Sequence, residues 1–231
     1  MRLQRRWRLC GLACWSVFVF DALLGRAAAP KDAWQPLFNG RDLSGWTVDG
    51  TKLTDESDPQ RPVWSVEDET IHCAGGGFGF LRYEQRLSDF ALRLEYRLEK
   101  DGNSGIGIRS PVFTGPAETR PSFAGYEIQL LDDAGQEPNE HSTGSLYRYV
   151  AAAKNAARPA GEWNQLEIEC RGPHIRIVLN GQTLHDLDQS RDEATAKKPL
   201  DGFISLQNHG SPADFRRIEL RNLAAQPSKA P

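Results

Sequence analysis

The sequence predicts an all-β chain, folded as a two-sheet antiparallel β-sandwich of the jelly-roll kind. Three observations predict it. Short apolar segments alternate strictly with polar ones, most clearly Phe90, Leu92, Leu94, Tyr96 and Leu98 against Ala91, Arg93, Glu95, Arg97 and Glu99. Turn signals separate such segments, above all Asn180-Gly181, which suits a type I′ hairpin. Twenty-one Gly and fourteen Pro among 231 residues favour a turn-rich, strand-rich architecture over a helical one. At this length one large domain suffices, and neither an internal repeat nor a long linker divides it.

Residues 1–29 read as a signal peptide. Arg2, Arg5, Arg6 and Arg8 open it, an apolar run from Leu9 to Leu24 follows, and Ala27-Ala28-Ala29 supplies the small residues of a cleavage site. The run is short for a membrane span and Asp21 interrupts it, so export to the periplasm or the cell exterior is expected, with no span after cleavage. An uncleaved anchor is the alternative. The domain is expected over 30–223 and a disordered tail over 224–231. With five Arg and one Asp of the signal gone, 23 basic and 30 acidic residues leave a formal net charge of −7. That balance speaks against a nucleic-acid partner, which needs a basic face.

Within the domain, Trp34 to Val48 reads as the entry strand region. Residues 63–66 and 70–73 form a hairpin around 67–69, and Gly75-Gly76-Gly77 is a turn. Strands follow at 90–98, 166–170, 175–179, 203–207 and 215–220. The Ala-rich stretch 150–157 and the polar stretch 190–198 are expected as surface loops. Cys73 and Cys170 remain after the signal. They pair in one disulfide or stay as buried thiols, and the apolar face that Cys170 continues favours the second.

Four segments, 102–109, 125–132, 143–147 and 204–212, place polar side chains where a sheet should bury something. Successive strand side chains point to opposite faces. Ile106 and Ile108 then oppose Gly105, Gly107 and Arg109; Ile128 and Leu130 oppose Glu127 and Gln129; Ile204, Leu206 and Asn208 oppose Ser205, Gln207 and His209. Three strands show core on one side and Arg, Glu, Gln and His on the other, the mixture of charge and amide groups that binds sugar hydroxyls. Asn103, Gln129, Tyr147 and Gln207 are the candidates for those contacts. Tyr126, Tyr147 and Trp64 are candidate ring platforms, although most such aromatics in a sandwich are core.

These segments, together with residues 37–46 (LFNGRDLSGW) and Gly161-Glu162-Trp163-Asn164, resemble the 3-keto-disaccharide hydrolase family over residues 34–223. The resemblance implies a concanavalin A-like sandwich and cleavage of 3-keto-glycosides. A ketone at C3 acidifies the C2 hydrogen; a base removes it, the aglycone leaves C1, and water adds. In that scheme Glu127 is the expected base, Arg109 the group that stabilises the C3 oxygen, and His209 the acid or a metal ligand. A separate oxidoreductase would supply the 3-keto-sugar. Plainer readings stand beside these: Glu127 paired with Arg109 or merely holding hydroxyls, and His209 bonding the Gly210-Ser211 turn. No cofactor is required by the pattern, and a divalent metal is left open, with Glu127, Asp132 and Asp133 as oxygen donors or His209 beside a carboxylate. The chain departs from the family at Gly107, where a larger residue is common, and at Asn208, where Asp is common. The competing function is a non-catalytic carbohydrate-binding module or a cell-envelope interaction protein on the same fold.

Overall fold

The computed structural model describes residues 33–50 and 62–223; the expected signal peptide, the tail and the loop residues 51–61 lie outside the described residues. The strands are β1 (Gln35–Pro36), β2 (Trp46–Asp49), β3 (Trp64–Glu67), β4 (Thr70–Cys73), β5 (Gly79–Tyr83), β6 (Phe90–Leu98) and β7 (Asn103–Ser110). After the single-turn helix α1 (Pro121–Ala124) come β8 (Tyr126–Leu131), β9 (Asn164–Arg171), β10 (His174–Leu179), β11 (Gln182–Asp188), β12 (Phe203–Asn208) and β13 (Ala213–Asn222).

Two antiparallel sheets result. The larger runs β11-β10-β9-β6-β13-β4-β3 with β1 on β13, and the smaller runs β2-β5-β12-β7-β8. The expected hairpins form for a local reason: Asp68 and Glu69 (φ 48° and 56°), like Asn180 and Gly181 (φ 50° and 76°), take the left-handed conformation that a two-residue turn needs. Leu92, Tyr96, Ile168, Ile177 and Phe215 of the larger sheet share one core cluster with Leu81, Ile106, Ile128, Leu130 and Leu206 of the smaller. Trp64 and Tyr126 belong to that cluster too, so neither serves as a sugar platform. Cys73 and Cys170 are free buried thiols, and burial pushes each up to about 12.

One expectation needs correction and another gains a detail. The first is strict alternation through β7. Gly107 pairs with Ser205 but Ser110 pairs with Phe203, so Ile108 and Arg109 together oppose one residue of β12, a β-bulge. Arg109 adopts φ 51° there and follows Ile108 inward instead of returning to the polar face. Its guanidinium, fully buried, donates to Oε1 of Gln189 (2.9 Å) and to the carbonyl of Gly172 (2.6 Å). Arg109 neither pairs with Glu127 nor joins the site. The second point concerns residues 190–198, a surface loop as expected, mostly exposed but anchored at one residue. Thr195 is 1% exposed, and the neighbouring Gln189 bonds the Lys198 carbonyl with Nε2 while its Oε1 receives Arg109. A buried guanidinium needs such acceptors, and Gln189, just before this loop, supplies one of them. Residues 150–157 are irregular, as expected.

Candidate functional site

The smaller sheet turns its second face away from the core, and a pocket lies on it. Register builds the floor: Ser205, Gly107 and Glu127 lie in one cross-strand row on β12, β7 and β8, with Gly105 opposite Gln129 and Phe80 opposite Gln207. The two glycines make the space. A Cβ on Gly105 would sit 2.9 Å from Cγ of Glu127, so that side chain lies across the bare backbone. A Cβ on Gly107 would meet Oγ of Ser205 and, at 2.8 Å, Cγ of Pro121, so the glycine lets α1 settle onto the sheet. Residues 111–125 thereby become a wall. Phe113 fixes their path by packing edge-on against Phe78 and Phe80 (5.8 and 5.2 Å between centroids).

The cavity encloses about 180 Å³. Its floor is Glu127, Gln129 and Gln207, at 4%, 4% and 2% exposure, and its sides are Asn103, His209, Tyr147, Ser122, Arg120 and Phe78. Arg148 and Phe123, both exposed, stand at the mouth. Burial pushes the Glu127 carboxyl up to about 7, against hydrogen bonds from Gln207 and Ser122 and the Arg120 charge, all of which favour the ionised form. Arg120 stacks over Phe78 (4.3 Å), and its Nε is buried without a partner. Oε1 of Gln129, Oε1 of Gln207 and Oγ of Ser205 are likewise buried and unpartnered. Buried polar atoms left unpaired are rare in a folded protein, and several on one cavity face suit a hydroxyl-rich ligand.

A side-chain chain orients the histidine. Nε2 of Gln129 donates to Oδ1 of Asn103 (3.3 Å), which leaves the Asn103 amide facing Nδ1 of His209 (3.4 Å). An N–H donor at Nδ1 makes that nitrogen the acceptor and puts the proton on Nε2. The ring of His209 also meets the edge of Phe78 at 5.4 Å.

Of the residues singled out in the sequence, Glu127, His209, Asn103, Gln129, Tyr147 and Gln207 line this one pocket, and Arg109 does not. Sequence reasoning missed Phe78, Arg120, Ser122, Phe123 and Arg148. All lie outside the strands, where no periodicity marks a face; the one local signal is Pro121, which holds Arg120 extended (φ −67°, ψ 147°) at the entrance to α1. Asp132 and Asp133 are committed to loop geometry, accepting from the backbone N–H groups of Asp101 and Thr143. Among the described residues no three His, Cys, Asp or Glu side chains gather as a metal site.

Comparison with known proteins points the same way. A protein of Bacteroides thetaiotaomicron named 3-keto-disaccharide hydrolase is 26% identical, over 83% of this chain and 79% of its own length. A solved structure from Parabacteroides distasonis, described as a candidate glycosyl hydrolase, superposes with TM-score 0.70 at 23% identity, over 84% of this chain and 95% of that one. A Bacillus subtilis protein with a galectin-like fold superposes with TM-score 0.51 at 12% identity, over 82% of this chain and 94% of the other. The fold is therefore the concanavalin A-like sandwich that the sequence led us to expect. Residues 33–221 match the family described as the 3-keto-alpha-glucoside-1,2-lyase-like domain, and the chain belongs to that family.

Proposed function

We propose that this chain hydrolyses 3-keto-glycosides by C2 deprotonation, elimination and hydration. The observation that carries the reading is Glu127, a carboxyl buried on the pocket floor whose proton affinity is raised to about 7, the range a general base at neutral pH needs. Its carboxylate takes the C2 proton while the C3 carbonyl accepts the electron pair as an enolate. Arg120, not Arg109, is the guanidinium whose charge reaches Glu127, and it faces the developing oxyanion with an unpaired Nε–H. The enolate then expels the aglycone from C1, and Nε2–H of His209 protonates the departing oxygen. Water then adds its oxygen to C1 of the resulting enone and gives its released proton to Nε2 of His209, restoring that group, while Glu127 returns the proton to C2. The sum is hydrolysis, reached without the paired carboxylates of an ordinary glycosidase. Asn103, Gln129, Gln207 and Tyr147 hold the remaining hydroxyls. The family membership and the named hydrolase relative support the reaction class, and the leader-like start of the sequence supports work outside the cytoplasm on keto-sugars that an oxidoreductase makes.

The test is release of aglycone from 3-keto-trehalose and a chromogenic 3-keto-glucoside, beside their unoxidised parents, with and without EDTA. Cleavage of the keto forms alone, lowered about 10²-fold or more in Glu127→Gln, is expected. Sugar binding without cleavage of any keto-glycoside would instead make the chain a binding module. Loss of cleavage in EDTA, restored by a divalent ion, would add a metal that this mechanism does not use.

A further inference from the structure

We infer that the mouth of this pocket is a subsite for a carboxylate-bearing leaving group, with Arg148 as its anion-binding residue and Phe123 as the platform beneath the guanidinium. The inference rests on the reading of the pocket as a glycoside-cleaving site and names the class of aglycone that site prefers.

Three observations carry it. First, Arg148 has no acidic partner among the described residues; Arg93, Arg97 and Arg216 pair with Glu219, Asp214 and Glu95, and Arg158 and Arg176, which also lack an acid, donate to the Trp163 carbonyl and the Thr183 hydroxyl. What Arg148 has is the ring of Phe123, 4.0 Å from its Cζ. Stacking uses the face of the guanidinium and leaves its in-plane N–H groups for an oxyanion, which a planar carboxylate meets two at a time. Second, the backbone is bent to put it there. Arg148 sits at φ 74°, a left-handed conformation that is unfavourable for a non-glycine residue, and its N–H bonds the Glu140 carbonyl. Strain retained at a pocket rim marks a side chain whose placement matters. Third, the pocket is short. At about 180 Å³ it falls below the range of about 300 Å³ and more that encloses a drug-sized ligand, so one sugar ring fills it and the leaving group lies at the opening. What waits at that opening is an unpaired cation over Phe123, 38% exposed and one of the few large apolar side chains that reach solvent among the described residues. The chain as a whole is acidic, with formal net charge −3, so this cationic mouth is a local feature that draws an anion against the general field.

The experiment compares two 3-keto-glucosides that differ only in the aglycone, 4-carboxyphenyl and its methyl ester. The ester is the better leaving group and would be cleaved faster on chemistry alone. The expected result is a KM at least about fivefold lower for the acid in the wild type, weakening as salt is raised, and a collapse of the acid-to-ester ratio of kcat/KM in Arg148→Gln with partial recovery in Arg148→Lys. Because the readout is a ratio within each variant, a general loss of activity does not disturb it. Equal KM values in the wild type, or a preference that survives in Arg148→Gln, overturns the subsite while leaving the hydrolase reading intact. If neither keto-glucoside is cleaved, the hydrolase reading falls, and calorimetry with the unoxidised 4-carboxyphenyl glucoside and its ester decides the subsite: tighter binding of the acid, lost in Arg148→Gln, supports it, and equal binding refutes it.

Discussion

At the scale of single residues, the site works through contrasts in burial. Glu127 is held between donors that favour its charge and a desolvated floor that opposes it, and burial wins. A base must be ionised to act, so kcat/KM for a keto-glycoside should rise with pH through an apparent value near 7 and level off above it. A pH–rate profile checks this, and a profile flat from pH 5 to 8 would remove Glu127 from the base role. Much of this set is legible in the sequence alone. Glu127, Gln129, Gln207 and Asn103 alternate with Ile128, Leu130, Leu206 and Ser104, and period two reports faces reliably while the strand is regular. Arg109 escapes that rule because a bulge adds one residue to β7, and no side chain signals it. Arg120, Ser122 and Arg148 are hidden for a different reason: loop residues reach a site through folding back, which has no period to read.

At the scale of elements, the pocket depends on how residues 111–125 are pinned over the sheet. Lys198 does the pinning. Its ammonium donates to the carbonyls of Phe123 and Gly125 (3.0 Å for the latter) and to the hydroxyl of Tyr149 (2.7 Å), and lies 4.2 Å from the Tyr149 ring. Carbonyls at the C-terminal end of α1 and the segment bearing Tyr147 and Arg148 thus share one cation. Lys198→Met keeps the aliphatic stem and deletes the donors. KM for a keto-glycoside should rise severalfold, with a loss of stability of about 1–3 kcal/mol by denaturant titration. An unchanged KM alongside the lost stability would make Lys198 a purely structural tie. The hairpins of the larger sheet are the most readable elements, since Asn180-Gly181 and the 67–69 turn carry their own backbone chemistry. Gln189 is the least readable position, because a polar residue at the start of a solvated polar run gives no sign that a buried arginine requires it.

At the scale of the whole molecule, the site costs stability. Glu127 binds its proton more tightly in the folded chain (about 7) than the ordinary value of 4.5, so between those limits the native state holds more protons than the unfolded one. Stability is then greatest below pH 4.5 for this group and declines as pH rises through 7, by about 3 kcal/mol. Glu127→Gln should flatten that decline, which melts at pH 5 and pH 8 would show; an identical pH dependence in the variant would contradict it. The strands otherwise keep core and pocket on opposite faces of the smaller sheet, so the chemistry of one face can change without unpacking the other. The bulge at Ile108 and Arg109 draws a finer boundary inside a single strand. Upstream of it the odd-numbered positions address the ligand; at Arg109 they address the interior. Chain length at that point therefore acts as a selector. Removing Ile108 would leave Arg109 alone opposite Ile204 and still turned inward, whereas removing Ser110 would bring the guanidinium opposite Phe203, onto the face that carries Glu127, a change of site electrostatics that no exchange of one side chain for another can make in the same place.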